Sequence, residues 1–346
     1  MLDAPDRRKP PCAERADPGS RGVRPGRRSA VPAQEGGTML IRHLRFFVVL
    51  ADERHFGRAA ETCGVSQPTL SQAIRKLEED LNLALVIRGH RFTALTPEGE
   101  KLLRWSRRIL ADHDSLHEDL RGARGGLTGT LRLGVIPAAM PMISLISESF
   151  ARRNPLAGLE IRSMSFQALR RALEAFEIDG GVTYLDQAPE ENLREFPLYR
   201  ERYLFACRAE HPLAERRIVG WAEAAAQPLC LLREEMKHRR ILDEVAGDLG
   251  VELRPKITCN SFLGVASHLR AGPWCAIVPQ AFRFVFGEAG GLALREMAET
   301  PRRHMVGLVL AERSPQTPMA EALRSCVEEA DFEGRLEASA APRAAE

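Results

Sequence analysis

Apolar residues recur at helical spacing between residues 39 and 96, and one turn interrupts the pattern. The stretch LIRHLRFFVVLADE predicts a first helix whose apolar face carries Leu40, Leu44, Phe47, Val48 and Leu50. Residues 57–63 keep the helical pattern, and Gly64 then suits a tight turn. Ser66 is a favourable N-cap, and Pro68 fits the first turn of another helix. The pattern therefore predicts a helix, a short turn and a second helix.

The helix after the turn has two unlike faces. Its apolar stripe, which we expect to pack inward, consists of Leu70, Ile74, Leu77 and Leu81. The opposite face is polar and carries Gln67, Thr69, Ser71, Gln72, Arg75 and Lys76. Glutamine and arginine can form paired hydrogen bonds with purine edges in the major groove of DNA, and serine and threonine reach base edges or phosphates. This face indicates a DNA recognition helix; the alternative is the solvated face of an ordinary helix hairpin.

A basic hairpin is predicted directly after this helix. In the stretch LVIRGHRFTALTPEG, Arg88, His90 and Arg91 surround Gly89, as in a wing that lies beside the DNA backbone. An exposed loop is the alternative. We assign residues 39–97 to a DNA-binding domain. Its predicted contact residues are Ser66, Gln67, Pro68, Thr69, Ser71, Gln72, Arg75, Arg88, His90 and Arg91.

A long helix and a linker follow the wing. Thr96 can cap this helix and Pro97 suits its first turn. Leu102, Ile109 and Leu116 recur every seven residues with Trp105 between them, which is typical of a seam between two helices. Residues 98–123 are therefore predicted to form a linker and dimerisation helix. The glycine-rich residues 122–130 predict a break before the next unit.

Beyond residue 128 short strands alternate with helices. This order predicts parallel strands joined by helical crossovers, in an effector-binding domain spanning residues 128–335. Lobe I is expected to contain residues 128–200 and 307–335, and lobe II residues 201–306. The fold class is therefore mixed: a mainly α winged helix-turn-helix, a linker helix and a two-lobed α/β domain.

A cleft between two such lobes is the predicted ligand site. Ligands of open α/β sheets bind outside the carboxyl ends of the strands. The residues at those ends are Pro137, Ala138, Ala139, Ser163, Met164, Ser165, Thr183, Tyr184, Cys259, Asn260 and Ser261. Hydroxyls and helix N-termini favour a small carboxylate or other anion, although the apolar segment IPAAMP favours a less polar or unusually oriented ligand. A cleft without a dedicated effector is the alternative.

Composition narrows the class of protein. The 346 residues are 44% hydrophobic and 28% charged, and no stretch approaches the roughly 20 apolar residues of a membrane span. The net charge of +2 is too small to indicate nucleic acid, so the case for DNA depends on local placement. Residues 1–38 lack a secretory apolar segment and are predicted to be a disordered tail, with residues 336–346 a frayed one. We expect a cytoplasmic protein without a membrane partner.

Other chemistries have weaker support. The seven cysteines contain no C-x-x-C pair, and Cys259 with Cys275 is the couple considered for a thiol-based redox sensor. His113 and His117 are one helical turn apart and have metal-ligand spacing, but a solvated face is favoured. Neither a nucleophile elbow nor a phosphate loop supports an enzyme. A solute-binding protein would leave the first hundred residues without a purpose. We therefore expect neither an enzyme nor a solute-binding protein, and we expect no cofactor.

From about Leu44 to Gly99 the chain resembles the winged helix-turn-helix of the LysR-type transcriptional regulators. The positions that carry the resemblance are Ala59, Ala60, Ser66, Gln67, Pro68, Ser71, Ile74, Leu77, Glu78, Leu81, Arg88, Leu95, Thr96, Pro97 and Gly99. His55 departs from it, because the family commonly has glycine there. The remainder resembles the family's effector domain, which is similar to type 2 periplasmic binding proteins.

The resemblance implies a sequence-specific transcriptional regulator that responds to a small molecule. Two recognition helices in a dimer would read half-sites about one helical turn apart, which predicts an inverted-repeat operator. The family further implies a tetramer that bends the DNA between two sites, with RNA polymerase as a further partner.

Overall fold

The computed structural model describes residues 41–88, 92–185, 192–286, 291–300 and 302–340. The predicted tail at residues 1–38 lies outside them. The helices are α1 (Ile41–Glu53), α2 (Phe56–Thr62), α3 (Gln67–Leu81), α4 (Pro97–Gly125), α5 (Ile143–Arg153), α6 (Phe166–Glu174), α7 (Trp221–Ala225), α8 (Lys237–Asp248), α9 (Phe262–Ala271), α10 (Arg283–Phe286), α11 (Pro318–Glu329) and α12 (Phe332–Ala340). The strands are β1 (Val86–Arg88), β2 (Phe92–Leu95), β3 (Gly129–Val135), β4 (Ala157–Ser163), β5 (Gly180–Tyr184), β6 (Leu193–Arg200), β7 (Tyr203–Arg208), β8 (Ile218–Val219), β9 (Cys230–Leu232), β10 (Ile257–Cys259), β11 (Ala276–Pro279), β12 (Leu292–Met297) and β13 (Met305–Ala311).

The first three helices and the start of α4 share one apolar core. Its fully buried members include Leu44, Phe47, Leu50, Leu70, Ile74, Leu77 and Leu85. The predicted apolar stripe of α3 is therefore buried as expected, with Leu81 partly buried at its end. Burying a leucine or isoleucine side chain contributes about 1.5–3 kcal/mol, so this stripe fixes which face of α3 remains outside.

The turn before α3 needs a residue with left-handed backbone. Gly64 has φ +64°, a backbone conformation that residues with a Cβ rarely adopt. The amide of Val65 donates to the carbonyl of Ala60 at 3.0 Å, which closes the turn. The predicted helix, turn and helix are thus α2, this turn and α3.

A five-stranded sheet forms the first lobe, in the order β4-β3-β5-β13-β6. Strands β4, β3 and β5 are parallel, as their alternation with α5 and α6 predicts. One strand departs from the expected parallel arrangement: β13 runs antiparallel to both β5 and β6, so β6 keeps the direction of β3, β4 and β5. The chain enters β13 from the other lobe, so it returns to this sheet in the opposite direction.

The second lobe contains a four-stranded sheet in the order β11-β7-β12-β8 and a parallel pair formed by β9 and β10. The chain leaves the first sheet after Arg200, passes through Glu201 and Arg202, and enters β7 at Tyr203. It comes back to the first sheet after β12 and enters β13 at Met305. The amide of Glu201 donates to the carbonyl of His304 at 2.8 Å, so the two crossing segments lie side by side.

The end of the chain corrects one expectation. Residues 336–340 are not frayed, because they belong to α12. Phe332 and Leu336 of that helix are buried, and the Phe332 ring stacks on Tyr199 at 6.4 Å between centroids. The alanine-rich composition concealed these two anchoring side chains, and residues 341–346 lie outside the described part. Among the described residues, no helix combines the length and the apolar composition of a membrane span.

Candidate functional site

The start of α3 is fixed by its cap. Ser66 has extended backbone, and its hydroxyl accepts a hydrogen bond from the amide of Thr69 at 3.3 Å. The Ser66 and Thr69 hydroxyls are 2.8 Å apart and share a further hydrogen bond. Pro68 lies in the first turn, where its missing N–H leaves no helical hydrogen bond unmade. The cap and the buried leucines together hold this end of α3 at the surface.

The predicted reading residues lie on the outer side of α3. Those with exposed side chains are Ser66, Gln67, Pro68, Thr69, Gln72 and Arg75, whereas Ser71 is half-buried. Lys76 is also exposed, but its ammonium pairs with Asp80 at 2.7 Å. Six of the seven predicted positions are therefore exposed, five of them in α3 and Ser66 at its N-cap.

His55 stands where the family commonly has glycine, and its side chain caps α2. Its Nδ1 accepts hydrogen bonds from the amides of Gly57 at 3.1 Å and Arg58 at 3.3 Å, so the imidazole caps α2. Arg58 in turn donates to the backbone carbonyl of Glu53 at 2.6 Å. The departure noted in the sequence is thus compensated locally, and α2 keeps its position against α3.

The wing is a short antiparallel hairpin. β1 and β2 pair Val86 with Leu95 and Arg88 with Phe92. Arg88 ends β1, as the wing hypothesis requires, while His90 and Arg91 lie outside the described residues. The wing is anchored from below, because the Glu78 carboxylate of α3 accepts the amide of Leu85 at 3.0 Å.

The wing continues directly into the long helix α4. The Thr96 hydroxyl donates to the carbonyl of Ala84 at 2.7 Å and accepts from the amide of Gly99 at 2.9 Å. A Cβ on Gly99 would lie 2.2 Å from the carbonyl oxygen of Leu85, so only glycine fits this approach. The DNA-binding domain and α4 are therefore rigidly connected at this corner.

The predicted seam on α4 is partly exposed. Leu102 and Ile109 pack against the core of the DNA-binding domain, whereas Trp105 is 53% and Leu116 is 56% exposed. Leu120, which the heptad spacing missed, is 62% exposed. Helical spacing puts all of these on one side of α4, within about 60° of one another. The seam is thus an apolar strip whose exposed members are Trp105, Leu116 and Leu120.

Two arginines join α4 to its neighbours. The guanidinium of Arg107 pairs with Asp52 of α1 and with Glu177, which follows α6. Arg313, which follows β13, pairs with Asp112 of α4 at 3.0 Å. Both arginines are largely buried, so these ion pairs are less screened by solvent than surface ones.

Three parallel strands of the first lobe end at the same edge. The register places Val135 beside both Ser163 and Val182. The amide of Met164 donates to the carbonyl of Val135 at 2.9 Å, and that of Ile136 to Val182 at 3.1 Å. The predicted cleft residues at the carboxyl ends of β3, β4 and β5 therefore lie at one edge of the sheet, although Ser163 ends β4 and Thr183 and Tyr184 lie within β5 rather than after it.

Their side chains differ in what they offer a ligand. Ala138 and Ala139 belong to the apolar core, so only the backbone of that turn is available, which corrects the expected side-chain contact. Pro137 is half-buried and Ser163 is exposed. The Ser165 hydroxyl accepts from the amide of Ala168 at 3.3 Å and so caps α6.

The second lobe contributes the segment after β10. Cys259 is half-buried, and Asn260 and Ser261 are exposed. The Ser261 hydroxyl accepts from the amide of Gly264 at 3.2 Å and caps α9. Ser165 and Ser261 thus act first as helix caps, and the helix N-termini behind them are the groups that favour an anion.

Three helix N-termini converge between the lobes. The Lys237 ammonium of α8 lies 5.8 Å from the centre of the Phe166 ring, the first residue of α6. The ring of His238, next in α8, lies 5.2 Å from that of Phe262, the first residue of α9. No side chain caps α8, whose N-cap is Met236. This convergence adds a cation to the predicted cleft.

A buried polar cluster lies beside this convergence and was missed from the sequence. The Tyr184 hydroxyl lies 3.2 Å from both carboxylate oxygens of Glu201 and 3.4 Å from Nδ1 of His238. The side chain of Glu201 is completely buried. Burial first, and then the Glu201 carboxylate, raise the pKa of Tyr184 well above its ordinary value, so its hydroxyl donates.

Several buried polar atoms around this cluster have no hydrogen-bond partner among the described residues. They include the hydroxyls of Thr183 and Tyr199 and Nε2 of His238. Buried polar atoms are nearly always paired with protein, water or a ligand. The one sequence signal was that all three tyrosines of the chain fall between residues 184 and 203.

The cysteines considered for redox chemistry are arranged differently from expectation, whereas His113 and His117 lie one helical turn apart as predicted. The thiol next to Cys259 is that of Cys230, with 3.8 Å between the sulfurs. Cys275 instead neighbours Cys207, and burial raises the pKa of the Cys275 thiol to about 12. His113 and His117 bring their Nε2 atoms to 3.3 Å on α4, with Asp114 beside His113.

Two family models match the chain. The model described as "Bacterial regulatory helix-turn-helix protein, lysR family" matches residues 41–100. The model described as "LysR substrate binding domain" matches residues 124–331, which is more than half of the chain. The two matches correspond to the region from α1 to the start of α4 and to the two-lobed region.

Curated relatives agree over most of the chain. A probable hydrogen peroxide-inducible genes activator from Mycobacterium avium is 30% identical over 276 residues, 79% of this chain and 88% of the relative. The DNA-binding transcriptional dual regulator OxyR of Escherichia coli K12 is 28% identical, covering 83% and 95%. An SDS degradation transcriptional activation protein of a Pseudomonas species is 31% identical, covering 84% and 96%.

Solved structures show the same fold. A full-length OxyR variant from Pseudomonas aeruginosa superimposes with a TM-score of 0.69 at 24% identity, covering 85% of this chain and 96% of that one. CbnR in complex with its target DNA gives a TM-score of 0.61 at 20% identity, covering 84% and 99%.

Proposed function

Because the chain belongs to the LysR family of DNA-binding transcriptional regulators, we propose that it reads its operator through α3 and the β1-β2 wing. We further propose that a small anion bound between the two lobes alters that reading. The observation that carries the first part is the division of α3, whose leucines are buried while Gln67, Gln72 and Arg75 stand exposed at the surface. Such side chains discriminate base edges, whereas contacts to phosphates supply most of the affinity.

Self-association follows from the weakness of a single unit. Residues 39–97 contain eight Lys or Arg against six Asp or Glu, which is too little positive charge for tight binding by one copy. The exposed strip of Trp105, Leu116 and Leu120 on α4 supplies an apolar surface for a second copy. Two joined copies would place two recognition helices on one operator. A tetramer, and contact with RNA polymerase, are further proposals drawn from the family.

The effector site is proposed at the convergence of α6, α8 and α9. Each helix N-terminus carries a partial positive charge, and Lys237 adds a full one. The unpartnered buried atoms of Thr183 and His238 offer hydrogen bonds beside it. A small carboxylate with one further polar group fits this set.

A physical connection runs from that site toward DNA. The N-terminus of α6 borders the cleft, and Glu177 after its other end pairs with Arg107 of α4. Arg107 also pairs with Asp52 of α1 in the DNA-binding domain. A ligand that shifts α6 would therefore change a contact shared by both domains, which is the differential contact that a switch requires.

The relatives named for hydrogen peroxide raise thiol sensing as a second candidate. The one close pair of sulfurs recorded among the described cysteines is Cys230 with Cys259. In the parallel register Ile257 is opposite Cys230, so Cys259 lies two residues further along. Strand rise and spacing then separate the two Cα atoms by about 8 Å. Since a disulfide spans at most about 7 Å without backbone movement, we favour the anion.

The DNA-binding part is tested by gel retardation on the intergenic DNA upstream of the chain's own gene. We expect a shift whose affinity falls linearly with the logarithm of salt concentration, because counterions are released from phosphates. Footprinting would show two protected half-sites with inverted symmetry. A flat salt response, or no shift, would contradict the proposal.

The effector part is tested by thermal shift with a panel of small carboxylates, followed by footprinting with any that bind. Replacing Lys237 with alanine is expected to weaken carboxylate binding by about 10-fold, because a charge-assisted contact is lost. Lys101→Ala is the matched control, since Lys101 is an exposed lysine on α4. Equal loss in both variants would place the anion elsewhere.

A further inference from the structure

Two thiols and an imidazole meet where α9 packs on the β9-β10 pair. Cys230 begins β9, Cys259 ends β10, and His268 lies in α9, which packs on both strands. The sulfurs are 3.8 Å apart, and Cys259 Sγ is 3.8 Å from Nδ1 of His268. One ligand atom from each of the three residues lies within 4.8 Å of the others. We propose that these residues form a binding site for a thiophilic divalent metal ion, with Zn²⁺ as its natural occupant.

The distances favour a tetrahedral metal ion over a disulfide. Zinc–sulfur bonds of about 2.3 Å at a tetrahedral angle put two sulfurs about 3.8 Å apart, which is the observed separation. The same geometry puts sulfur and nitrogen about 3.5 Å apart, slightly less than the 3.8 Å found here. The diagonal strand positions of Cys230 and Cys259, which hinder a disulfide, suit two ligands that meet at an ion between them.

The imidazole is already oriented. Nδ1 of His268 lies 2.8 Å from the carbonyl of Gly264, and because a carbonyl can only accept, Nδ1 carries the proton in the metal-free protein. Metal binding at Nδ1 replaces this hydrogen bond and moves the proton to Nε2. The two thiols lose one proton each, so one Zn²⁺ binds and two protons are released.

The site reaches from the protein interior to its surface. Cys230 is fully buried. Cys259 and His268 are half-buried and provide access from outside. Three protein ligands leave the fourth position open to water or a small ligand, as in zinc sites that bind exogenous molecules.

The test is metal binding by the full-length, reduced and chelator-treated protein. Titration with Zn²⁺ against a chromophoric chelator is expected to show one ion per chain, with two protons released per ion in weakly buffered solution. Co²⁺ is expected to give the sulfur-to-cobalt absorption of a thiolate site. Cys259→Ser and His268→Gln should each weaken Zn²⁺ binding by at least about 100-fold, since even supporting residues of metal sites cost 10- to 100-fold.

Cys63→Ser is the matched control, because Cys63 is a half-buried thiol in the DNA-binding domain. It should bind Zn²⁺ as the unchanged chain does. Cys230 is fully buried, so its replacement could unfold the lobe; the two half-buried positions therefore carry the test, with circular dichroism confirming the fold. Equal Zn²⁺ affinity in all variants, tighter binding of Cu⁺ that ignores His268, or a Cys230–Cys259 disulfide with no metal binding after reduction would each overturn the assignment.

Discussion

The outer face of α3 and the buried cluster around Glu201 hold their polar groups in opposite ways. Gln67, Gln72 and Arg75 stand exposed on a helix whose other face is sealed in the core. Tyr184 and Glu201 pair with each other where no solvent reaches. Exposed polar groups cost nothing to leave unpaired and remain free for a large partner such as DNA. Buried ones contribute to stability and can accept only a small ligand, because unpaired buried groups are costly.

The largest expected effect is on stability and follows from the buried side of this comparison. Glu201→Ala removes the partner of Tyr184 and His238 from a completely buried site, which should cost about 3–5 kcal/mol in the free energy of unfolding. Gln72→Ala on the outer face of α3 should change it by less than about 0.5 kcal/mol. Urea denaturation of both variants measures the difference. Similar costs in the two variants would show that the contrast between the regions is not real.

The second-largest expected effect is on DNA binding, with no change in stability expected. Gln67→Ala should reduce discrimination between operator and unrelated DNA by about 1–3 kcal/mol, because a base-edge contact is lost. Arg88→Ala should weaken binding to every sequence alike and reduce the salt dependence, because Arg88 is assigned to the backbone. Gel retardation with both kinds of DNA separates the two outcomes. If both variants bound normally, the assignment of the reading face would be wrong.

Alkaline pH probes the buried region through its tyrosines. Burial raises the pKa of Tyr184 and Tyr199 well above the usual value, so the folded chain keeps both protons after the unfolded chain has lost them. Stability is therefore fully present below about pH 10 and falls as pH rises beyond it, by about 1.4 kcal/mol per pH unit for each tyrosine.

Tyr184→Phe isolates one of these tyrosines. At about pH 8 the variant should lose about 1 kcal/mol, the net worth of the hydrogen bond to Glu201. Between about pH 10 and pH 11 its urea midpoint should fall less steeply than that of the unchanged chain. Parallel curves would mean that Tyr184 ionises freely in the folded protein. No such effect is expected from the outer face of α3, which contains no tyrosine.

The two regions also differ in how far the sequence predicted them. The reading face depends on helical periodicity and local caps, both visible within residues 57–81, so its placement was predictable. The hydrogen bond between Tyr184 and His238 joins residues 54 positions apart. It exists because the chain crosses between the sheets at Glu201. The lobe boundary at residue 200 was predicted, but the side chains of the two lobes that meet there were not. Ala138 and Ala139 show the same limit, since strand ends were predicted but not which side chains face inward.

The smallest expected effect concerns Ser66, which is exposed like the reading residues but also supports the fold. Its side chain is exposed like its neighbours, yet its hydroxyl accepts from the amide of Thr69 at 3.3 Å and pairs with the Thr69 hydroxyl. Ser66→Ala should therefore lower stability by about 1 kcal/mol through loss of the cap, whereas Ser71→Ala, inside the same helix, should be close to neutral. Thermal unfolding of the two variants, with DNA binding measured on both, decides whether Ser66 positions α3 or only contacts DNA. Equal stability of the two variants would show that the Ser66 hydroxyl does not stabilise α3 as a cap. DNA contact would then be the sole role of that hydroxyl.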